Sequence, residues 1–195
     1  MASKSAHLAV GAACGLVTTI AIHKIFPNIP GYILVLCFLA SIPGGTAPDW
    51  LEIASWSPEK GRQSIIKHRT YTHWFPFWCI LTVLSIFLIP VLVWSPLITA
   101  FGIAGISHLI IDWPNPMGVP WIRIKKRHSL KLWKSGEYEL ILVMFFWFLA
   151  GGLSYLMLYG KLSTLDNASA YTLYKNIMQQ TIALFKSASI AWNSF

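Results

Sequence analysis

Two histidines and an arginine lie in the polar stretch of residues 67–74, directly before a long apolar run that begins at Phe75. Imidazole nitrogens bind divalent metal ions, and a guanidinium group binds phosphate oxygens. Ionisable groups beside a membrane-length segment are costly, which favours a functional role. We therefore predict that His68 and His73 belong to a metal site at a membrane surface, with Arg69 as a substrate-binding residue. A juxtamembrane segment that touches anionic lipid is the alternative.

His108 and Asp112 stand four residues apart at the end of a second apolar run. On a helix they share one face and lie about one turn from each other. An imidazole and a carboxylate at this spacing can bind one ion. Alternatively, the carboxylate can accept a hydrogen bond from the histidine and so orient it for metal binding. An ordinary polar contact at a helix end explains the same spacing, so the pair gains meaning only together with other candidates.

Three more ionisable residues stand at the edges of apolar segments. His7 precedes the first segment, and Asp49 and Glu52 follow the second, after a Pro-Gly-Gly break. A helix broken at membrane depth must face protein or a watery cavity, so the break itself indicates a site. Each residue alone has an ordinary explanation. His7 can be a terminal histidine without a role, Asp49 can cap a helix, and Glu52 can be a solvated side chain. Taken together, His7 and Asp49 extend the predicted metal-ligand set, and Asp49 or Glu52 is the predicted catalytic acceptor of a proton from water.

The composition indicates that a membrane bundle positions these residues. Hydrophobic residues make up 55% of the 195-residue chain and charged residues 11%, whereas a soluble domain carries about a quarter charged residues. Apolar runs at residues 8–26, 31–43, 75–94, 97–111 and 140–159 predict about five transmembrane helices in an all-α, polytopic bundle. The three cysteines lie inside apolar runs and are interpreted as small buried side chains.

The end of the chain differs from the rest. Residues 162–195 repeat apolar side chains at near-helical spacing, with polar side chains between them. This pattern predicts an amphipathic helix that lies on the membrane or on the bundle. We therefore divide the chain into a membrane-embedded domain of residues 1–160, which carries the predicted metal site, and a C-terminal amphipathic helix of residues 161–195.

The distribution of positive charge predicts that the N-terminus lies in the cytoplasm. In this orientation the inner segments hold every lysine and arginine except Lys24, Lys161, Lys175 and Lys186. The same topology brings the ends of four segments to the cytoplasmic face. Those ends carry all the candidate residues, namely His7, Asp49, Glu52, His68, Arg69, His73, His108 and Asp112.

The order of these residues resembles the YdjM-like family of inner-membrane, metal-dependent hydrolases. The matching elements are His7 near the N-terminus, Pro48-Asp49, the run from His68-Arg69 to Thr72-His73, and His108 with Asp112 before a proline-containing loop. The resemblance extends over about residues 7–121 and implies a multi-pass protein of the bacterial inner (plasma) membrane. Two positions depart from the family. Leu51 stands where a second aspartate is frequent, with Glu52 as a substitute, and Trp74 stands where serine is frequent.

The stretch from His108 to Met117 is also similar to the corresponding stretch of zinc-dependent phospholipase C and related zinc nucleases, which are all-helical. Those enzymes carry a further histidine after this motif, and Gly118 stands there in this chain. The similarity implies phosphoester chemistry. The basic run of residues 123–127 is better explained by lipid headgroups than by nucleic acid, which we do not expect as a partner.

These inferences predict an integral-membrane hydrolase that acts on a phosphoester or lipid-type substrate at the cytoplasmic leaflet. The enzyme is expected to use one or more divalent ions, and zinc is the expected metal. Membrane lipids are the expected partners. The alternative is a non-catalytic membrane protein that binds, transports or senses a metal ion. Few polar residues lie deep in the apolar runs, which counts against a transport path.

Overall fold

The computed structural model describes residues 3–59, 61–132, 134, 136–160, 169, 171–172, 174–180 and 182–183. Within them the chain is mainly helical, which confirms the predicted all-α architecture. The helices are α1 (Lys4–Ile25), α2 (Gly31–Gly44), α3 (Ala47–Trp50), α4 (Phe75–Leu88), α5 (Ser95–Asp112) and α6 (Glu139–Leu158), and a 3₁₀ turn (Tyr71–His73) precedes α4.

Three of these helices, α1, α5 and α6, are long and apolar enough to cross a membrane. Helices α2 and α4 are apolar but have only 14 residues each, which corresponds to about 21 Å and falls short of the roughly 30 Å hydrocarbon core. Helix α4 ends at Leu88 because Pro90 lacks an N–H and cannot continue it. The described part of the chain therefore has an apolar helix in each of the five predicted runs, and three of the five are long enough for a full span.

Helix α5 is the centre of the bundle. It packs against α1, α2 and α4, while α6 packs on α1. Small residues let the helices approach closely. A Cβ added at Gly105 of α5 would lie 2.1 Å from the Trp78 ring of α4, and one added at Gly45 would lie 2.3 Å from the His7 carbonyl of α1. The Gly45 contact holds the start of α1 against the end of α2, at the end of the bundle where the candidate residues lie.

Two short antiparallel hairpins, which were not expected from the sequence, lie in the loops at this end of the bundle. Strands β1 (Ala54–Ser57) and β2 (Gly61–Ser64) lie between α3 and the 3₁₀ turn. Strands β3 (Val119–Pro120) and β4 (Arg127–His128) lie between α5 and α6. These strands are too short to give a recognisable alternation of apolar and polar residues, which is why the sequence does not reveal them.

The predicted C-terminal amphipathic helix lies partly outside the described residues. Those that are described between residues 169 and 183 are helical. The Tyr174 hydroxyl lies within hydrogen-bonding distance of the carbonyls of Ile86 (3.3 Å) and Phe87 (3.1 Å), near the end of α4. Its ring packs edge-on against Phe26, with centroids 5.0 Å apart. This segment therefore contacts the end of the bundle opposite to His7.

Candidate metal centre

Four segments of the chain place ionisable side chains at one end of the bundle. They are the first turn of α1, helix α3 with the residues that follow it, the segment from residue 68 through the 3₁₀ turn, and the last turns of α5. Each residue in two groups offers one ligand atom within 4.8 Å of the others in its group. The first group is His7, His108 and Asp112, and the second group is Asp49, Glu52, His68 and His73.

The first group joins the start of α1 to the end of α5. The His7 ring stacks on the His108 ring, with centroids 3.9 Å apart and 21° between the planes. The Nε2 atom of His7 is 3.6 Å from Oδ1 of Asp112, and Nε2 of His108 is 3.8 Å from Oδ2 of Asp112. The hydroxyl of Ser3 accepts a hydrogen bond from the Ala6 N–H at 3.2 Å, and this cap fixes the helical turn that carries His7. All three side chains of the group are fully buried.

The second group joins α3 to the 3₁₀ turn. Oδ1 of Asp49 is 3.4 Å from Nε2 of His73, and Oε1 of Glu52 is 3.3 Å from Nδ1 of the same ring. The Nδ1 atom of His68 lies 2.7 and 2.8 Å from the two carboxylate oxygens of Glu52. Pro48 lies in the first turn of α3, where its fixed φ favours the start of a helix, and this start positions Asp49.

Asp49 links the two groups. Its Oδ1 atom lies 3.4 Å from Nε2 of His73 in the second group and 3.9 Å from Nε2 of His108 in the first. Two ligand atoms that each lie roughly 2.0–2.1 Å from one tetrahedral zinc ion are about 3.3 Å apart. The separations in the cluster are close to this value, so only small side-chain movements are needed for these atoms to share an ion.

Three histidines are held through Nδ1, which leaves Nε2 for a ligand. Nδ1 of His68 donates to the Glu52 carboxylate, and Nδ1 of His108 donates to the Gly45 carbonyl at 2.9 Å. Nδ1 of His73 lies against Glu52. A proton on Nδ1 leaves the lone pair of Nε2 available, and hydrogen bonds of this kind are the usual way in which proteins orient metal-binding histidines.

The cluster contains buried polar atoms that make no hydrogen bond within the described part of the chain. They are both ring nitrogens of His7, Oδ1 of Asp49, and Nε2 of His68, His73 and His108. Buried polar groups almost always find partners, because an unpaired one costs roughly 1–3 kcal/mol. Imidazole nitrogens and a carboxylate oxygen gathered in one place are satisfied by a cation. These residues therefore fit a divalent metal ion.

Glu52 lies behind the two histidines of the second group. Its side chain is fully buried, and it accepts a hydrogen bond from the backbone N–H of Arg69 at 3.1 Å. Burial raises the pKa of Glu52, but the interactions with His73, with the Arg69 N–H and with His68 outweigh this effect and hold the pKa below its usual value. Glu52 therefore remains an ionised carboxylate that orients His68 and His73.

Arg69 contacts one carboxylate in each group, Glu52 through its backbone N–H and Asp112 through its side chain. Its side chain is fully buried, and its φ of 56° lies in the left-handed region that residues with a Cβ rarely adopt. The guanidinium donates to Oδ2 of Asp112 and, at 2.6 Å, to the Gly118 carbonyl. These contacts are internal and indicate that Arg69 positions Asp112. Substrate binding by Arg69 stays a prediction, and these contacts do not support it.

Some contacts of the site were not predicted from the sequence. The Gly45 carbonyl fixes His108, the Thr72 hydroxyl lies 3.2 Å from Nδ1 of His73, and the Asn115 amide donates to Asp112 at 3.2 Å. Backbone carbonyls and neutral side chains look ordinary in a sequence. The Pro-Gly-Gly break at residues 43–45 was the available hint that this turn faces a site.

A family model described as YdjM inner membrane protein matches residues 1–175. The match includes every residue of the two groups and confirms the family resemblance that the motifs indicated. No curated protein and no solved structure matches the chain. With its apolar helices, the chain is thus a membrane protein, and its histidine and carboxylate groups are able to hold a metal ion.

Proposed function

We propose that this chain, which belongs to the YdjM inner membrane protein family, is an integral-membrane, metal-dependent hydrolase of a phosphoester or lipid-type substrate. The observation that carries the proposal is that the unpartnered Nε2 atoms of His73 and His108 both lie within 3.9 Å of Oδ1 of Asp49, with His68 in the same ligand group as Asp49. Imidazole and carboxylate ligands of this kind hold the zinc ions of hydrolytic enzymes.

The chain offers a ligand set that suits zinc. Magnesium and calcium prefer oxygen ligands, whereas imidazole nitrogens suit zinc and other transition metals. When bound, such an ion lowers the pKa of a water molecule to about 7 and polarises a phosphoryl or acyl oxygen. The residues that would hold one or more such ions are His7, Asp49, His68, His73, His108 and Asp112.

Asp49 is the residue to which we assign proton transfer. Its side chain is 26% exposed, whereas those of Glu52, His73 and His108 are fully buried. Burial raises the pKa of Asp49, but the contact with His73 and the charges of His108 and His73 outweigh this effect and hold the pKa below its usual value. Asp49 is therefore ionised at neutral pH and reachable by water, so it can accept a proton. Glu52, the other predicted acceptor, orients histidines instead.

The basic surface supports a site at the cytoplasmic leaflet. Lys67, Lys125 and Arg127 line one cavity at the cluster end of the bundle, and the Arg127 guanidinium donates to the His68 carbonyl at 2.9 Å. Positive charge is enriched on the cytoplasmic side of membrane proteins and attracts anionic lipid. The proposal therefore places the N-terminus in the cytoplasm and the protein in the inner membrane as a multi-pass chain.

Metal analysis and hydrolysis assays on the same preparations test the proposal. The purified chain should contain zinc by mass spectrometry and should release headgroups or phosphate from a panel of phosphoesters and phospholipids. His108→Ala should lose both the metal and the activity, because His108 contributes to the cluster through Nε2. His23→Ala is the matched control, since His23 is exposed near the other end of α1. Full activity of metal-free protein would contradict the proposal.

A non-catalytic metal site is the second candidate. The observation that favours it is the enclosure of the cluster, where the side chains of His7, His73, His108 and Asp112 are fully buried. Structural zinc sites are closed, whereas catalytic ones keep an open position. A metal-loaded protein that is inactive on the whole panel, and whose thermal stability drops on chelation, would favour this candidate.

A further inference from the structure

We infer that the groove beside Asp49 binds one lipid-type amphiphile, with its anionic headgroup between Lys4 and the metal cluster and its chain against Trp50 and Ile53. This inference rests on the proposed function, because it names the substrate class of the same site. The groove lies between the start of α1 and the corner at which α2 meets α3. Its cavity of about 700 Å³ is of the size that holds a small-molecule ligand.

The groove reaches the cluster through Asp49. This carboxylate belongs to the lining of the cavity, and its Oδ1 lies 3.4 Å from Nε2 of His73 and 3.9 Å from Nε2 of His108. A phosphoryl group at this end of the groove would therefore stand next to the atoms proposed to hold the metal. The geometry joins a binding cavity to the reactive centre by one shared residue.

The lining has one cation and a mainly apolar remainder. Lys4, at the start of α1, provides an exposed ammonium group that attracts an anionic oxygen. The remaining lining residues, besides Asp49, are Leu8, Ile42, Pro43, Thr46, Trp50, Ile53 and Ala54. A soluble phosphate ester would use the cation and leave this apolar wall in water. An amphiphile with an anionic headgroup and an acyl chain satisfies both parts.

Two large apolar side chains of the wall are held outward by local contacts. Trp50 is 51% exposed, and its indole N–H donates to the Pro43 carbonyl at 3.2 Å. Ile53 is 61% exposed and has a φ of 51°. A positive φ is a genuine outlier for a β-branched residue, and such strain concentrates at functional sites. The backbone N–H of Ile53 donates to the Trp50 carbonyl at 3.1 Å, which holds the two residues in one turn.

Photo-crosslinking of a lipid probe tests the inference on the full chain. The probe is phosphatidic acid with a diazirine near the headgroup end of its acyl chain, present as a minor component of phosphatidylcholine nanodiscs. Labelling of Leu8, Trp50 and Ile53 should saturate, and unlabelled phosphatidic acid should compete. Neither extra phosphatidylcholine nor soluble glycerol phosphate should compete at the same concentration, which separates a bound anionic lipid from bulk lipid and from free phosphate.

Two pairs of variants give matched controls. Ile42→Trp narrows the groove and should lower the saturable labelling at least about fivefold, whereas Ile80→Trp, on the exposed face of α4, should not change it. Lys4→Gln removes one charged hydrogen bond and should weaken competition by phosphatidic acid about tenfold. Lys24→Gln, in the last turn of α1, should leave that competition unchanged. Labelling that never saturates, or that is equal in all four variants, overturns the inference.

The experiment separates this inference from the proposed function, because binding is measured without turnover. If labelling saturates but the wild type cleaves no substrate, the hydrolase proposal is wrong and the inference of lipid binding in the groove is confirmed. If short-chain phosphoesters are cleaved while the labelling does not saturate, the inference of lipid binding in the groove is wrong and the hydrolase proposal is supported.

Discussion

Both carboxylate oxygens of Glu52 lie within 2.8 Å of Nδ1 of His68. An ionised carboxylate can only accept hydrogen bonds, so the proton lies on Nδ1 and the Nε2 lone pair is available. Glu52 also contacts Nδ1 of His73 at 3.3 Å. One buried carboxylate thus sets the tautomers of two candidate ligands.

This relationship predicts the effect of changing Glu52. Glu52→Gln should weaken metal binding about 10–100-fold, because a partner that orients a ligand is worth that much in affinity. Competition against a fluorescent chelator measures the dissociation constant. Glu137→Gln is the control, because Glu137 is exposed in the loop before α6. If Glu52→Gln folds and binds metal as tightly as the wild type, Glu52 does not have this role.

The ion pair of Arg69 and Asp112 predicts a large effect on stability. Arg69→Met should reduce the free energy of unfolding by about 3–5 kcal/mol, because it leaves a buried carboxylate without its partner. Thermal unfolding of the metal-free protein in detergent measures the change. Arg127→Met is the matched control, and it should cost no more than about 1 kcal/mol, since the Arg127 side chain is exposed. Equal losses in the two variants would show that the buried pair contributes nothing special.

Metal binding should weaken as the pH falls. Burial lowers the pKa of His73, but its contacts with Asp49 and Glu52 outweigh this effect and raise the pKa above its usual value of about 6.5. A proton must therefore leave His73 before Nε2 can bind an ion, and competition from protons begins at a pH above 6.5. In metal-free protein the sign is opposite, because the raised pKa contributes stability below 6.5 that is lost as the pH rises through the folded-state value.

Isothermal titration with zinc between pH 5.5 and pH 8, together with unfolding of the metal-free protein over the same range, measures both trends. The affinity should rise with pH over this interval, while the contribution of His73 to metal-free stability should fall. His73→Ala should remove that second trend. A metal affinity that is constant over the whole interval is the outcome that contradicts the assignment of His73 as a ligand.

The contact between α4 and α5 predicts a further change in stability. Gly105→Ala should destabilise the protein by about 1–3 kcal/mol, because the added Cβ would lie 2.1 Å from the Trp78 ring. Trp78 also donates from its indole N–H to the Thr72 carbonyl at 2.7 Å, next to His73, so metal affinity should fall as well. Gly151→Ala, where a Cβ meets open space in α6, should be neutral or stabilising by up to about 1 kcal/mol. Thermal unfolding compares the two variants.

The sequence reveals the members of the cluster better than their roles. His7, Asp49, His108 and Asp112 stand at the ends of apolar runs, and alternating membrane topology predicts that such ends meet. The structure does bring them together. Arg69 and Glu52 differ, because their roles depend on contacts between distant segments. The Arg69 guanidinium is taken by Asp112 and the Gly118 carbonyl, and no local pattern encodes either contact.

The length of α4 was also beyond the reach of the apolar pattern. The run of residues 75–94 is long enough for a span, but hydropathy does not register that Pro90 ends the helix early. The end of α2 at Gly44, in contrast, agrees with the predicted run of residues 31–43 and its Pro-Gly-Gly break. The order and number of the long apolar helices followed from hydrophobicity, whereas their ends depend on single residues with special backbone geometry.

The shortness of α2 and α4 has a consequence for the surrounding bilayer. Local thinning of the bilayer is one way to match helices of about 21 Å, at a modest elastic cost. Thinning would lower the headgroups next to α2, which ends at the corner that carries Asp49. On the proposed function, such thinning would bring a substrate phosphate closer to the cluster within its own leaflet.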